Sequence, residues 1–175
     1  MLKYESFNDP MQRPRYTGLA TFMRSPYRED VDGVEVGLVG VPFDGGVTNR
    51  PGARHGPREI RNQSSLIRRL NQASGISPHD ICAVADVGDA WVQSPFNLES
   101  SLDEIATFYR HLHTAGVVPV SAGGDHSVTL PILRGIAAAN PVGLIHFDAH
   151  CDTGDDYLGS KFHHGAPFRR AAEEG

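Results

Sequence analysis

The chain has 175 residues, of which 39% are hydrophobic and 21% are charged, a composition typical of one soluble globular domain. The formal net charge of -5 argues against a nucleic-acid or anionic-membrane partner, because either would require a basic surface. No apolar stretch approaches the roughly 20 residues needed to span a bilayer. The polar, proline-broken N-terminus predicts no secretion signal, and two cysteines are too few for a disulfide framework, so we expect a cytoplasmic protein.

Short β-rich runs alternate with helix-like segments from residue 34 onward. The pattern predicts a strand in VEVGLVGVPFD, a helix through REIRNQSSLIRRLNQ that Pro57 opens, and a second strand in ICAVADVGD. It then predicts a helix in LESSLDEIATFYRHLHTAG with Ser100 or Ser101 as its cap, a third strand in VVPVSAGGDHS, a helix in VTLPILRGIAAAN, and a fourth strand in PVGLIHFDAHCD. This alternation favours a parallel sheet with helices on both faces. We divide the chain into an N-terminal extension, residues 1–33, and part of a single domain, residues 34–175.

The chemically reactive side chains gather in four segments that each follow a predicted strand, namely FDGG, VGDA, GGDHS and DAHCDT. Ligands of parallel α/β sheets bind beyond the carboxyl ends of the strands. The pattern therefore predicts a single site at that edge of the sheet.

Two of these segments have the composition of a metal site. In an extended strand end, Asp148, His150 and Asp152 would share one face, since side chains two residues apart point the same way. The two carboxylates on this strip repel each other, and all three groups lose hydration, unless a cation lies among them. His126, at the tip of the third strand's turn, could supply a fourth ligand. Oxygen-rich sets with one or two imidazoles suit Mn²⁺ better than structural zinc.

Neighbouring residues are predicted to support these ligands. Asp125 and Ser127 flank His126 and would orient it, although Ser127 could instead cap the helix that follows. His146 shares the spacing of the ligands but lies deeper, so we expect a buried histidine that supports the ligands rather than a ligand itself. Cys151 alternates away from the set and is predicted to be a small packed residue, with a thiolate ligand as the other possibility.

Three motifs resemble those of a known family. GGDHS, DAHCD and HHGAPFRR are similar to successive motifs of the ureohydrolases, which include arginase, agmatinase and guanidinobutyrase. GVPFDGGVTNRPGARHGPREIR resembles the agmatinase branch, and PRYTGLATFMR resembles the N-terminal segment of its guanidino-acid members. The resemblance covers the chain from Pro14 onward. It implies a three-layer α/β/α sandwich with a mostly parallel sheet, and hydrolysis of a linear guanidino compound, such as agmatine or 4-guanidinobutyrate, to an amine and urea over two Mn²⁺ ions.

The resemblance also assigns roles to individual residues. His164 matches the histidine of the family's HG motif, which is thought to carry protons, and we count it with Asp152 as catalytic, whereas His163 reads as a loop residue. The family's metal ligands match His126, Asp148, His150 and Asp152. The segment expected to shape the pocket for the substrate tail contains Asn49, Arg50 and Arg54. Each of these arginines is either structural or a partner for a carboxylate on that tail. A homo-oligomer, trimer or hexamer, is implied as well.

The sequence departs from the family pattern at three points. His55 stands where the family often has an aromatic residue, and Ala166 replaces a common threonine. The third family motif, S-x-D-x-D, with two further aspartate ligands, is absent. We therefore expect the N-terminal part of a longer enzyme, incomplete at the C-terminal end of its sheet and inactive alone. Two alternatives stay open: a single-zinc, deacetylase-like hydrolase, against which Asp152 speaks, and a non-catalytic chain of the same fold.

Overall fold

The sheet has three parallel strands in the computed structural model, which describes residues 10–175; the rest of the predicted extension, residues 1–9, lies outside the described residues. The strands are β1 (Val36–Val41), β2 (Val84–Asp89) and β3 (Val118–Gly123), in the order β2-β1-β3. Val36 of β1 is in register with Val84 on one side and Val118 on the other. The predicted α/β class with a parallel sheet is confirmed.

The described chain contains five helices. They are α1 (Gly56–Ser64), α2 (Pro78–Ile81), α3 (Leu98–Thr114), α4 (Thr129–Ile136) and α5 (Pro167–Glu174), with 3-10 turns at Phe22–Arg24, Ala53–His55 and His126–Val128. Three of the five helices, α1, α3 and α4, were predicted from the sequence, whereas α2 and α5 were not. Among residues 10–175, none of these helices has the length and apolar character that a membrane crossing requires.

The larger core lies between the sheet and α3. Val39 and Val41 of β1 pack there against Leu102, Ile105 and Tyr109 of α3, and all five are fully buried. The Tyr109 hydroxyl lies 2.6 Å from the Ser121 hydroxyl of β3, which ties α3 to the sheet. Burial raises the pKa of Tyr109 to about 12, so the phenol stays neutral and keeps a proton that it can donate.

A second, smaller core covers the opposite face of the sheet. Phe22, Leu38 and Val84 form it, and the Arg61 guanidinium of α1 stacks on the Phe22 ring, 4.1 Å from its centroid. Tyr27 bridges to Asp86 of β2, so part of the predicted N-terminal extension packs directly on the domain. The burial of β1 on both faces explains why its sequence is continuously apolar.

Three helix boundaries differ from the predictions, and one of them is the end of α4, which lies at Ile136 rather than at Asn140. The first predicted helix extended to residue 72, but α1 ends at Ser64, and residues 65–72 form turns in which Leu66 and Leu70 are exposed. These side chains pack in neither core of the described chain, so a longer helix would gain little stabilisation from tertiary packing. The cap of α3 is Asn97 rather than Ser100 or Ser101, since the Asn97 side chain accepts a hydrogen bond from the Ser100 amide at 3.0 Å.

The predicted fourth strand is wrong for the described chain. Residues 141–148 pair with no described strand, and their apolar side chains lie on the surface, with Phe147 93% exposed. β3 is an edge strand on the same side, with Val118 and Val120 also exposed. A strand needs a neighbour for its main-chain N–H and C=O groups, and residues 141–148 do not pair with the open edge of β3. Among the described residues, the sheet therefore ends at β3.

A buried ion pair joins α1 to β2, and breaking it should destabilise the fold. Arg61 donates to both carboxylate oxygens of Asp86, at 2.9 and 3.0 Å, and to Asp89 at 2.6 Å. Asp86 is 1% exposed. Arg61→Ala leaves this carboxylate without its cation, so we expect a loss of roughly 3–5 kcal/mol in the free energy of unfolding, measured by chemical denaturation.

The matched control is Arg58→Ala, one turn earlier on the same helix. Arg58 is exposed and stands outside the hydrogen bonds and ion pairs seen among the described residues. Its replacement should change the free energy of unfolding by less than about 0.5 kcal/mol. Equal stability of the two variants would show that the ion pair does not hold α1 to β2.

Candidate metal centre

The turn after β3 places His126 over the end of β1. Gly124 has a φ of +59°, and a Cβ there would lie 2.5 Å from the carbonyl oxygens of Val41 and Phe43, so only glycine fits. The Asp125 amide donates to Phe43 O at 2.9 Å. The Asp125 side chain accepts from the Ser127 amide at 2.6 Å and begins the 3-10 turn that presents His126.

Four nitrogen and oxygen donors converge at this point. His126 Nδ1 lies 2.6 Å from Asp152 Oδ2 and 3.7 Å from Asp148 Oδ2. His146 Nε2 lies 3.5 Å from Asp148 Oδ2. One donor atom from each of His126, His146, Asp148 and Asp152 lies within 4.8 Å of all the others. Two imidazoles and two carboxylates at such separations form a compact site that can hold a divalent cation.

The chemistry of the donors fits a metal ion. His146 Nε2 is buried and makes no hydrogen bond to any described residue, a costly state that a bound cation would relieve. The His150 amide, 2.9 Å from Asp148 Oδ1, and the neighbouring imidazoles of His126 and His146 hold the pKa of Asp148 below its usual range. Asp148 is therefore ionised near neutral pH and ready to coordinate.

The structure places one predicted ligand differently. His150 points outward, 81% exposed, with Nδ1 3.6 Å from Asp148 Oδ1, while His146 takes a place in the cluster. His146 and Asp148 share a face, as an extended segment requires. The chain then bends at residues 149–150, and Asp152 adopts a left-handed φ of +48°, which returns its carboxylate to the cluster. The assignment of His150 as a ligand stays a prediction, as does the catalytic role of Asp152.

One residue of the site was missed by sequence reasoning. Phe168 of α5 packs on the rings of His126 and His146, with centroids 5.4 and 4.2 Å away, and its amide donates to Asp152 O at 3.3 Å. An aromatic residue in the motif that follows the HG pair was the only available signal, and it did not indicate which side chains the ring would contact.

The His163–Gly165 segment lies against the cluster. A Cβ on Gly165 would come within 3.9 Å of Asp152 Oδ1, and the Gly165 carbonyl accepts from the Gly154 amide at 2.8 Å. His164 Nδ1 lies 3.1 Å from Gly46 O. His163 is bonded within its own loop, with Nε2 2.8 Å from Asp155 O, which agrees with its interpretation as a loop histidine.

Other residues near the centre have specific partners. Within residues 10–175, the Asp125 side chain makes no hydrogen bond to the His126 ring. Its carboxylate accepts hydrogen bonds from the Ser127 amide and, at 2.9 Å, from the Gly46 amide. Asp125, and not Ser127, is the cap, and the buried Ser127 hydroxyl has no hydrogen-bond partner among the described residues. Cys151 is exposed, so its predicted packing is wrong because the bend carries it to the surface.

The predicted substrate loop is attached to the domain by Asp44. The buried Asp44 carboxylate pairs with the Arg54 guanidinium and accepts from the amides of Gly52, at 2.6 Å, and Arg54, at 3.2 Å. Arg54 is therefore engaged structurally in this state. Asn49 and Arg50 are exposed at the tip of the loop.

The contacts of Asp44 should make the free energy of unfolding depend on pH in the acidic range. The Arg54 guanidinium and the two amides lower the pKa of Asp44 to about 2, below an unfolded value near 3.9. Its contribution is thus fully present above about pH 4 and is lost as the pH falls toward 2. The unfolding free energy of Asp44→Asn should lie below that of the wild type at neutral pH, and the gap should close between about pH 4 and 2. A gap that stays constant in urea titrations across this range would contradict the pairing.

The family model for the arginase family matches residues 34–175, so the chain belongs to the arginase family. The resemblance seen in the motifs is thereby confirmed.

Individual relatives agree with this membership. The chain is 54% identical over 168 residues to guanidinopropionase from Pseudomonas aeruginosa, covering 95% of this chain and 52% of that protein. It is 46% identical over 162 residues to a mitochondrial agmatinase from Gallus gallus, covering 92% and 47%. A solved structure of proclavaminate amidinohydrolase from Streptomyces clavuligerus superposes with a TM-score of 0.87 at 37% identity, covering 93% and 54%. The chain spans about half the length of these relatives.

Proposed function

We propose that this chain supplies the metal-binding part of a manganese-dependent hydrolase that converts a linear guanidino compound to an amine and urea. The observation that carries the proposal is the convergence of His126, Asp148 and Asp152 beside the His163–Gly165 segment. The named activities of the relatives, which act on guanidinopropionate or agmatine by their names, support the substrate class.

Hydrolysis of a guanidinium requires help at two points. Its carbon is a poor electrophile, and water is a poor nucleophile near neutral pH. When bound, a divalent ion would supply the nucleophile, because coordination lowers the pKa of water toward neutrality. His126, Asp148 and Asp152 would hold the ion, with His150 or His146 as a further nitrogen ligand, and the carboxylates offset its charge.

The chain's own residues supply the proton transfer. The amine must leave in protonated form, and imidazole is the side chain best suited to give up a proton near neutral pH. His164 is our candidate donor, since its loop lies against the cluster. The loop that contains Asn49 and Arg50 lies between Gly46 and Gly56, both packed close to the turn after β3, and would shape the pocket for the substrate tail.

A panel of substrates tests the proposal. The complete protein, loaded with Mn²⁺, should release urea from at least one of agmatine, 4-guanidinobutyrate and 3-guanidinopropionate, and a chelator should stop the reaction. Absence of urea with every compound would reject the proposal. Hydrolysis of an acyl-lysine with zinc would instead favour the deacetylase-like alternative. A cytoplasmic location and a trimeric or hexameric assembly belong to the same proposal, and fractionation and light scattering test them.

A further inference from the structure

We infer that Gly46 is a positioning residue that fixes the tautomer of His164, so that Nε2 is the nitrogen that exchanges a proton with the substrate. The inference rests on the proposed function for its kinetic consequence, but the hydrogen-bond geometry that supports it does not depend on any activity.

The carbonyl of Gly46 holds His164 in two ways. It accepts a hydrogen bond from the His164 amide at 3.0 Å, and His164 Nδ1 lies 3.1 Å from the same oxygen. A carbonyl oxygen can only accept, so this second contact is a hydrogen bond only if Nδ1 carries the proton. In a neutral imidazole, Nε2 then has the free lone pair. Nε2 makes no hydrogen bond to a described residue, so it is available to a substrate.

Gly46 is also hydrogen-bonded to the turn that carries the metal ligand His126. Its amide donates to Asp125 Oδ2 at 2.9 Å, and Asp125 directly precedes His126 in the chain. The peptide groups around Gly46 therefore connect the turn that presents a metal ligand to the imidazole that would carry the proton. Such support fixes the distance between the two groups, and misplacement by about 1 Å can cost about 100-fold in rate.

The packing around Gly46 leaves no room for a side chain. A Cβ at this position would lie 2.6 Å from both the Cβ and the Oγ of Ser127. An alanine must therefore push the loop away from the turn and carry the carbonyl away from His164. Glycine is required here by the close approach of two segments, since its φ is not in the left-handed region.

Two measurements on the complete protein test the inference. In neutron diffraction from deuterated crystals at alkaline pH, we expect deuterium on His164 Nδ1, directed at the Gly46 carbonyl. Deuterium on Nε2 with a bare Nδ1 would overturn the inference, whether or not the protein releases urea.

The second measurement is kinetic. Gly46→Ala should lower kcat by about 100-fold, leave KM little changed and retain bound manganese. Combining it with Ser127→Gly removes both clashing atoms and should restore much of kcat relative to Ser127→Gly alone. Gly143→Ala is the matched control, because an added Cβ there meets nothing within 4 Å. Full kcat in Gly46→Ala, or a loss that Ser127→Gly does not relieve, would contradict the positioning role.

Discussion

Replacing His126 with alanine is expected to remove manganese from the cluster and to abolish urea release by the complete protein. His126 Nδ1 lies within 3.7 Å of a carboxylate oxygen of both Asp148 and Asp152, so its ring stands at the centre of the donor set. Loss of a residue that only supports a ligand costs roughly 10–100-fold in metal affinity, and loss of a direct ligand should cost more. Equilibrium dialysis against Mn²⁺ and a urea assay measure the two effects.

Asp148→Ala should behave in the same way, because its carboxylate supplies charge as well as coordination. His113→Ala is the matched control, since His113 is exposed on α3 and remote from the cluster in the fold. It should keep both metal and activity. Full metal content in the His126 variant would show that the ligand assignment is wrong.

Replacing His164 with alanine is expected to leave the bound metal in place while lowering kcat by roughly 10²–10⁴, the usual contribution of general acid–base catalysis. The reason is that none of the four converging donors belongs to His164, whereas its loop reaches Asp152 through Gly165. Metal content and steady-state kinetics on the same preparation separate coordination from proton transfer.

His164→Asn gives a sharper comparison. An asparagine amide can still donate to the Gly46 carbonyl, so the loop keeps its attachment, but it cannot exchange a proton near neutral pH. We expect this variant to be about as slow as the alanine variant. If either variant retained the wild-type kcat, His164 would have no part in the chemistry.

Local sequence patterns were sufficient for much of the fold. The three strands and the helices α3 and α4 follow from apolar periodicity and from glycine and proline positions, which are local properties. The edge of the sheet at which the four donors converge followed from the parallel topology. The convergence of His126, Asp148 and Asp152 was predicted for the same reason, since each stands at a predicted strand end.

Contacts between distant segments could not be predicted in this way. Period-two alternation assumed an extended chain as far as Asp152, but the chain bends at residues 149–150, so that His150 is exposed while His146 lies in the cluster. The pairing of Asp44 with Arg54 and the packing of Phe168 on two histidines depend on tertiary structure. The prediction of a fourth strand was wrong because a strand requires a paired neighbour, and residues 141–148 pair with no described strand.

The central claim is that His126, Asp148 and Asp152 bind manganese. Crystals of the complete protein soaked in Mn²⁺, with diffraction measured at the manganese absorption edge, test it directly. We predict an anomalous peak in contact with these three residues, and the same map will show whether His146 or His150 completes the coordination. A map without a peak at this cluster, in crystals that bind manganese elsewhere or not at all, would contradict the claim.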